Sequence, residues 1–156
     1  MAAAKTKVFL SHSHQDRAFV EKLAAVLKRH RISYWYSGTD IVGAQQWHDE
    51  IGSALAKCNW LLLVLTPAAV RSEWVKLELF HALDEHRYRK HIIPLLRKPC
   101  NLKKLSWTLN SFQRVDFTGN FDEACQQLFR IWNVEFKPAS GSAGSVAKPK
   151  PIRKQK

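Results

Sequence analysis

No stretch of this chain approaches the ~20 consecutive apolar residues that a membrane-spanning helix needs, and the longest run is Trp60 to Leu65. Glycine is scarce: there are six, and none falls in a GxGxxG pattern or in the glycine–lysine pattern that cradles phosphates. A Rossmann dinucleotide fold and a P-loop are both excluded by that absence. Cysteine is limited to Cys58, Cys100 and Cys125, odd in number, widely spaced and without a CxxC pair. A disulfide framework and a zinc site are therefore not expected, and reduced thiols are. The opening Met1-Ala2-Ala3-Ala4-Lys5 lacks the apolar core of a signal peptide, so a cytoplasmic protein is expected.

Acidic residues are also few, 13 against 25 lysines and arginines, which leaves a net charge of +12. The excess resembles an affinity for nucleic acid or anionic lipid until it is mapped. Lys137, Lys148, Lys150, Arg153, Lys154 and Lys156 supply half of it, and no acidic residue lies among them. No aromatic residue is interleaved with them either, so the stacking half of a single-strand binding surface is missing. Pro138-Ala139-Ser140-Gly141-Ser142-Ala143-Gly144-Ser145 reads as a flexible linker. We expect a folded domain over residues 5–134 and a disordered basic tail over 135–156. Contact of that tail with nucleic acid or a membrane is the lesser expectation.

What the chain does have is an alternation of strand and helix signals. Lys7 to Ser11 is a short β-rich run that breaks into the polar turn Ser11-His12-Ser13-His14-Gln15-Asp16, whose Asp16 can cap the first helix. Phe19, Leu23, Val26 and Leu27 have helical spacing over Arg17 to Arg29, and basic residues crowd the far end, as the helix dipole prefers. Ile32 to Tyr36 is an aromatic-rich second strand, followed by the loop Ser37-Gly38-Thr39-Asp40-Ile41-Val42-Gly43-Ala44. Trp47, Ile51 and Leu55 mark a helix to Cys58, and Asn59 to Leu65 reads as a strand buried on both faces. His91 to Leu96 is a fourth strand, in which Pro94 implies an incomplete ladder or a place near an edge. Arg97 to Ser111 looks irregular, Gln113 to Phe117 is a weak fifth strand, and Phe121 to Trp132 a last helix.

Between strands three and four, Ser72-Glu73-Trp74-Val75-Lys76-Leu77-Glu78-Leu79-Phe80 reads as a helix opening, with Ser72 as N-cap and Glu73 in the first turn. Trp74 and Glu78 stand four apart on one face, beside the stripe of Val75, Leu79 and Ala82. Glu78 is thus expected at the margin of an apolar face, next to an indole. A carboxylate there is either paired for structural reasons, for instance with Arg71, or kept for chemistry. His12 and His14 lack a third metal ligand, so no metal is expected.

Five strands alternating with helices imply an α/β, three-layer α/β/α architecture, a five-stranded parallel sheet in the flavodoxin-like order 2-1-3-4-5. In such sheets the ligand lies beyond the carboxyl ends of strands, at the switch between strands 1 and 3. A phosphoacceptor receiver is excluded, because strand 3 ends in Leu65-Thr66-Pro67 rather than in an aspartate. A flavodoxin would want a longer phosphate loop than Ser11 and Ser13 provide.

The boxes Val8-Phe9-Leu10-Ser11-His12 with Asp16, Asp40-Ile41-Val42-Gly43, Leu62-Leu63-Val64-Leu65-Thr66 and Ser72-x-Trp74-x-x-x-Glu78 together resemble a Toll/interleukin-1 receptor (TIR) domain of the bacterial type. Many TIR domains are NAD⁺ glycohydrolases whose essential glutamate ends the Trp-x-x-x-Glu pattern, so the resemblance implies that Glu78 is catalytic. It implies substrate contacts from Ser11, His12, Ser13, Tyr36, Gly43 and Trp74, with NAD⁺ as substrate and no resident cofactor. The product would be ADP-ribose or a cyclic isomer, in antiviral immune signalling. Other TIR domains are the implied partners, through the loop Ser37 to Ala44. The rival expectation is a non-catalytic adaptor that works by TIR–TIR assembly alone. One departure bears on the site: an aromatic or arginine often follows the first-strand serine in this family, and here His12-Ser13-His14 stands instead.

Overall fold

Five parallel strands form one sheet in the order β2-β1-β3-β4-β5, the order expected. The computed structural model describes residues 6–36 and 44–139, and side chains of the second stretch from Asp49 onward. The strands are β1 (Lys7–Ser11), β2 (Ser33–Tyr36), β3 (Trp60–Leu65), β4 (Ile92–Leu96) and β5 (Val115–Asp116). The helices are α1 (Arg17–Arg29), α2 (Ala44–Lys57), α3 (Pro67–Arg71), α4 (Glu73–Leu83) and α5 (Phe121–Ile131).

Side chains alternate across each strand, so each contributes to two cores. Val8, Leu10, Leu62, Val64, Ile93, Leu95 and Val115 pack with α1 and α5 on one face. Phe9, Leu61, Leu63, Leu65 and Ile92 pack on the other with α2, α3, α4 and two 3-10 turns, Leu102–Lys104 and Trp107–Ser111. The segment read as irregular is therefore a wall of the second core, through Leu102, Leu105 and Leu109.

The structure makes three local readings more specific. First, a short helix, α3, precedes the helix expected from Ser72, which begins there as α4 and ends at Leu83 rather than near Arg87. Thr66 accepts from the Ala69 N–H at 3.1 Å and caps α3, with Pro67 at its first position, where a missing N–H costs nothing. Second, Pro94 sits inside the sheet, paired in register with Leu63. The Leu96 carbonyl accepts from the Phe117 N–H, so by alternation the Pro94 nitrogen also faces β5. The β4–β5 ladder covers only Leu95 and Leu96, and the ladder is incomplete where Pro94 has nothing to donate. Third, packing continues past residue 134: Phe136 is buried, it stacks on His30 at 5.4 Å, and His30 Nε2 accepts from the Lys137 N–H at 2.9 Å. Residues 140–156, which carry most of the basic tail, and the loop residues 37–43 lie outside the described residues.

Candidate functional site

The site begins with the alternation of β1. Phe9 faces the α4 side, so Ser11 does too, at the carboxyl end of the strand beside Leu63 of β3. Helix α4 meets it from above. Its start is fixed by Ser72, whose hydroxyl accepts from the Val75 N–H at 3.1 Å, and by Glu73 in the first turn. Ser72→Ala should cost about 1 kcal/mol of stability, measured as a shift in denaturant midpoint at constant slope. One turn in, Val75, Glu78, Leu79 and Ala82 all point inward and are buried.

Glu78 is therefore not at the margin of the apolar face, as the sequence pattern suggested, but inside it, 0% exposed. The Ser11 hydroxyl, also 0% exposed, donates to Glu78 Oε1 at 2.5 Å. A hydrogen bond this short from a hydroxyl to a carboxyl oxygen is of the strong kind, and it offsets part of the cost of burying the group. Trp74 is half-buried, one turn before Glu78, packed against the second core. Arg71, the structural partner considered for Glu78, is an exposed residue.

The next residue of the chain points the other way. His12 is 3% exposed and lies edge-on to Tyr36, with ring centroids 5.7 Å apart. Its Nδ1 is 3.4 Å from the Leu10 carbonyl, and its Nε2 accepts from Arg17 Nε at 3.1 Å. These contacts select the neutral ring protonated on Nδ1. Burial, and secondarily the Arg17 charge, push the His12 pKa down to about 4, against a raising pull from the Leu10 carbonyl and Asp16. Ser13 is buried and caps a 3-10 turn, accepting from the Gln15 N–H at 3.3 Å.

Asp16 occupies the N-cap position of α1, yet its side chain does not cap the helix. It accepts from the Thr66 hydroxyl at 2.6 Å instead, and both side chains are buried. The turn after β1 is tied in this way to the start of α3.

Of the expected site residues, then, Ser11 and Glu78 come together on one face of the sheet, and His12 and Tyr36 on the other. Trp74 stands beside the first pair, Ser13 shapes the turn between them, and Gly43 lies outside the described residues. Arg17, not among the expected residues, holds two of them, donating to His12 and lying over the Tyr36 ring. Its signal was present: an arginine opens α1, the dipole end where a cation is disfavoured. Among the described residues no three His, Cys, Asp or Glu side chains gather as a metal ion needs, and no helix is long and apolar enough to cross a membrane. Two open grooves lie elsewhere. One of about 360 Å³ is lined by Trp35, Asp49 and Lys57, and one of about 410 Å³ by Arg114, Gln127 and Arg130. Neither includes Ser11, Arg17 or Glu78.

The fold has relatives among solved structures. The TIR domain of the Toll-related receptor TRR-2 from Hydra magnipapillata superposes with a TM-score of 0.66 at 21% identity, covering 81% of this chain and 98% of that one. The TIR domains of the activated Roq1 resistosome, which directly recognizes the pathogen effector XopQ, give 0.62 at 17% identity with the same coverage of 81% and 98%. No curated protein sequence matches the chain. The family model for the TIR domain matches residues 8–129, which span β1 through nearly all of α5, and the chain belongs to the TIR domain family.

Proposed function

We propose that this TIR domain cleaves the nicotinamide–ribose bond of NAD⁺, with Glu78 as the catalytic carboxylate. The observation that carries the reading is the Ser11–Glu78 hydrogen bond, which fixes a buried acid at the carboxyl end of β1, where ligands sit in folds of this order. Cleavage passes through an oxocarbenium-like state, and nicotinamide departs as a neutral molecule, so no general acid is needed. One carboxylate beneath the ribose stabilises the growing positive charge and accepts from a ribose hydroxyl. Its apolar surroundings, Val75, Leu79 and the half-buried Trp74, strengthen that attraction by keeping water away. Attack by water at the ribose C1 gives ADP-ribose, and attack by another atom of the same molecule gives a cyclic isomer.

Glu78 is completely covered, so NAD⁺ reaches it only when the cover moves. Activity is therefore coupled to a conformational change, and self-assembly through residues 37–44 is the trigger we favour. The Roq1 relative supports that choice, since its TIR domains were seen within an activated resistosome.

A second reading, a TIR domain that only recruits other TIR domains, is favoured by Leu77 and Phe80. These apolar side chains are 42% and 48% exposed on the outer side of α4. One experiment separates the two. Concentrated protein is incubated with NAD⁺ and the products are resolved by chromatography. Release of nicotinamide identifies the hydrolase or cyclase, with the second product telling which. Intact NAD⁺ at concentrations where the protein has demonstrably assembled leaves the recruiting module.

A further inference from the structure

Trp107 is 77% exposed, well beyond Phe80 at 48%, the next most exposed large apolar side chain among the described residues. It is not a loose end of the fold. The run from Asn101 to Ser111 holds two successive 3-10 turns, Leu102–Lys104 and Trp107–Ser111. The Leu105 and Ser106 N–H groups join them, both bonded to the Leu102 carbonyl, at 2.9 and 3.0 Å. Leu102, Leu105 and Leu109 anchor the run in the second core. Ser106 starts the second turn by accepting from the Thr108 N–H at 3.2 Å, and the Ser111 hydroxyl donates to the Thr108 carbonyl at 2.7 Å. An indole displayed on so firmly held a backbone is offered to something outside the chain.

The charges around it give the chemistry of that partner. Lys103 and Lys104 are exposed on the turn before it, and Lys98 and Arg114 on the flanking segments. Helix α3, which packs against the Leu102–Lys104 turn, adds the exposed Arg71 and no acid. Between Glu85 and Asp116 the sequence holds no acidic residue at all. Arg97 is set apart from this group, since it donates to the Phe117 carbonyl and lies over the Phe19 ring.

Anionic lipid fits both features. A bilayer interface accepts a single tryptophan, its apolar body toward the acyl chains and its N–H at the level of the headgroups. Lysines beside it meet the acidic headgroups. Single-stranded nucleic acid fits less well, because it is tracked by several aromatic platforms in succession, and Trp107 is the one exposed aromatic between β4 and β5.

We propose that the wall between β4 and β5 docks this domain on an anionic membrane surface, with Trp107 inserted at the interface and Lys103 and Lys104 against the headgroups. The inference stands apart from the role of Glu78.

The test is co-sedimentation of the full chain with vesicles of phosphatidylcholine alone and of phosphatidylcholine with phosphatidylserine, with melting temperatures recorded alongside. Parent protein should bind the phosphatidylserine vesicles, ignore the neutral ones, and come off as salt is raised. Trp107→Ala should weaken that binding roughly tenfold, through the apolar area withheld from the interface. Lys103→Gln combined with Lys104→Gln should weaken it roughly 10- to 30-fold, at about a factor of five for each cation near the charged surface. These side chains are exposed, so melting temperatures should stay at the parental value. Should one wall variant melt early, the other carries the comparison.

The basic residues after Ala139 are a competing source of such binding. A full-length variant with Lys148, Lys150, Arg153, Lys154 and Lys156 changed to glutamine should still bind. A tail variant that no longer binds, or wall variants that bind as the parent does, assign the contact to the tail and overturn the inference. Parent protein that binds no phosphatidylserine vesicles at low salt overturns it as well. So does a single-stranded oligonucleotide held more tightly than the vesicles through the same Trp107. Self-association without lipid that Trp107→Ala abolishes also overturns it, making the indole a contact between copies.

Discussion

Glu78→Gln protein is expected to fold as the parent does and to release nicotinamide from NAD⁺ roughly a thousandfold more slowly. The substitution is chosen to separate chemistry from packing. Glutamine has the same volume as glutamate, and its amide oxygen can still accept from the Ser11 hydroxyl that now sits 2.5 Å from Oε1. What disappears is the charge that meets the sugar as its base departs. Glu78→Ala is a poorer test, because it would open a cavity beneath α4 and strand a buried hydroxyl, each costing stability for its own reason. Ser11→Ala is the companion variant: it keeps the acid but removes the hydrogen bond to Oε1, so nicotinamide release should slow by a smaller factor. Rates and denaturation curves are measured side by side. A Glu78→Gln protein that cleaves NAD⁺ at the parental rate would remove the acid from the chemistry and leave it as part of the fold.

The strand order and most element boundaries were legible because they rest on short-range patterns. β1 and α1 fall where the sequence places them, at Lys7–Ser11 and Arg17–Arg29. The burial of Glu78 was not legible. Leu77 and Phe80 are apolar but face outward, so α4 is hydrophobic nearly all round, and no amphipathic contrast says which stripe turns in. The Asp16–Thr66 tie was invisible for a different reason: fifty residues separate the partners, and an aspartate in front of a helix reads first as its cap. Helix ends without glycine hide likewise. α1 is closed by Arg31 at φ 60°, with the Ile32 N–H bonded to the Leu27 carbonyl, a closure that glycine usually supplies. Long-range polar contacts, more than secondary structure, are what single-sequence reasoning loses here.

Acidification is expected to weaken the fold through His12, by about 1.4 kcal/mol per pH unit between pH 6.5 and about pH 4. In the unfolded chain this imidazole takes up a proton near its ordinary pKa of 6.5, whereas burial and the neighbouring Arg17 hold the folded value at about 4. Within that window the unfolded state binds a proton that the folded state excludes, so stability rises with pH and falls on acidification. Its contribution is complete above pH 6.5 and gone below about pH 4, a total of about 3 kcal/mol. The structural reason is the contact with Arg17: a protonated ring has no lone pair to accept from Nε, and two cations would face each other under cover. Other groups titrate in the same range, so the informative quantity is a difference. Denaturant unfolding of the parent and of His12→Gln is followed from pH 7.5 to 4. Glutamine can still accept from Arg17 and does not titrate, so its stability should be lower at neutral pH but should fall more gently as acid is added, and the two curves should converge. Curves that run parallel throughout would mean that His12 takes up its proton freely in the folded protein, and that Arg17 is not held by a neutral ring.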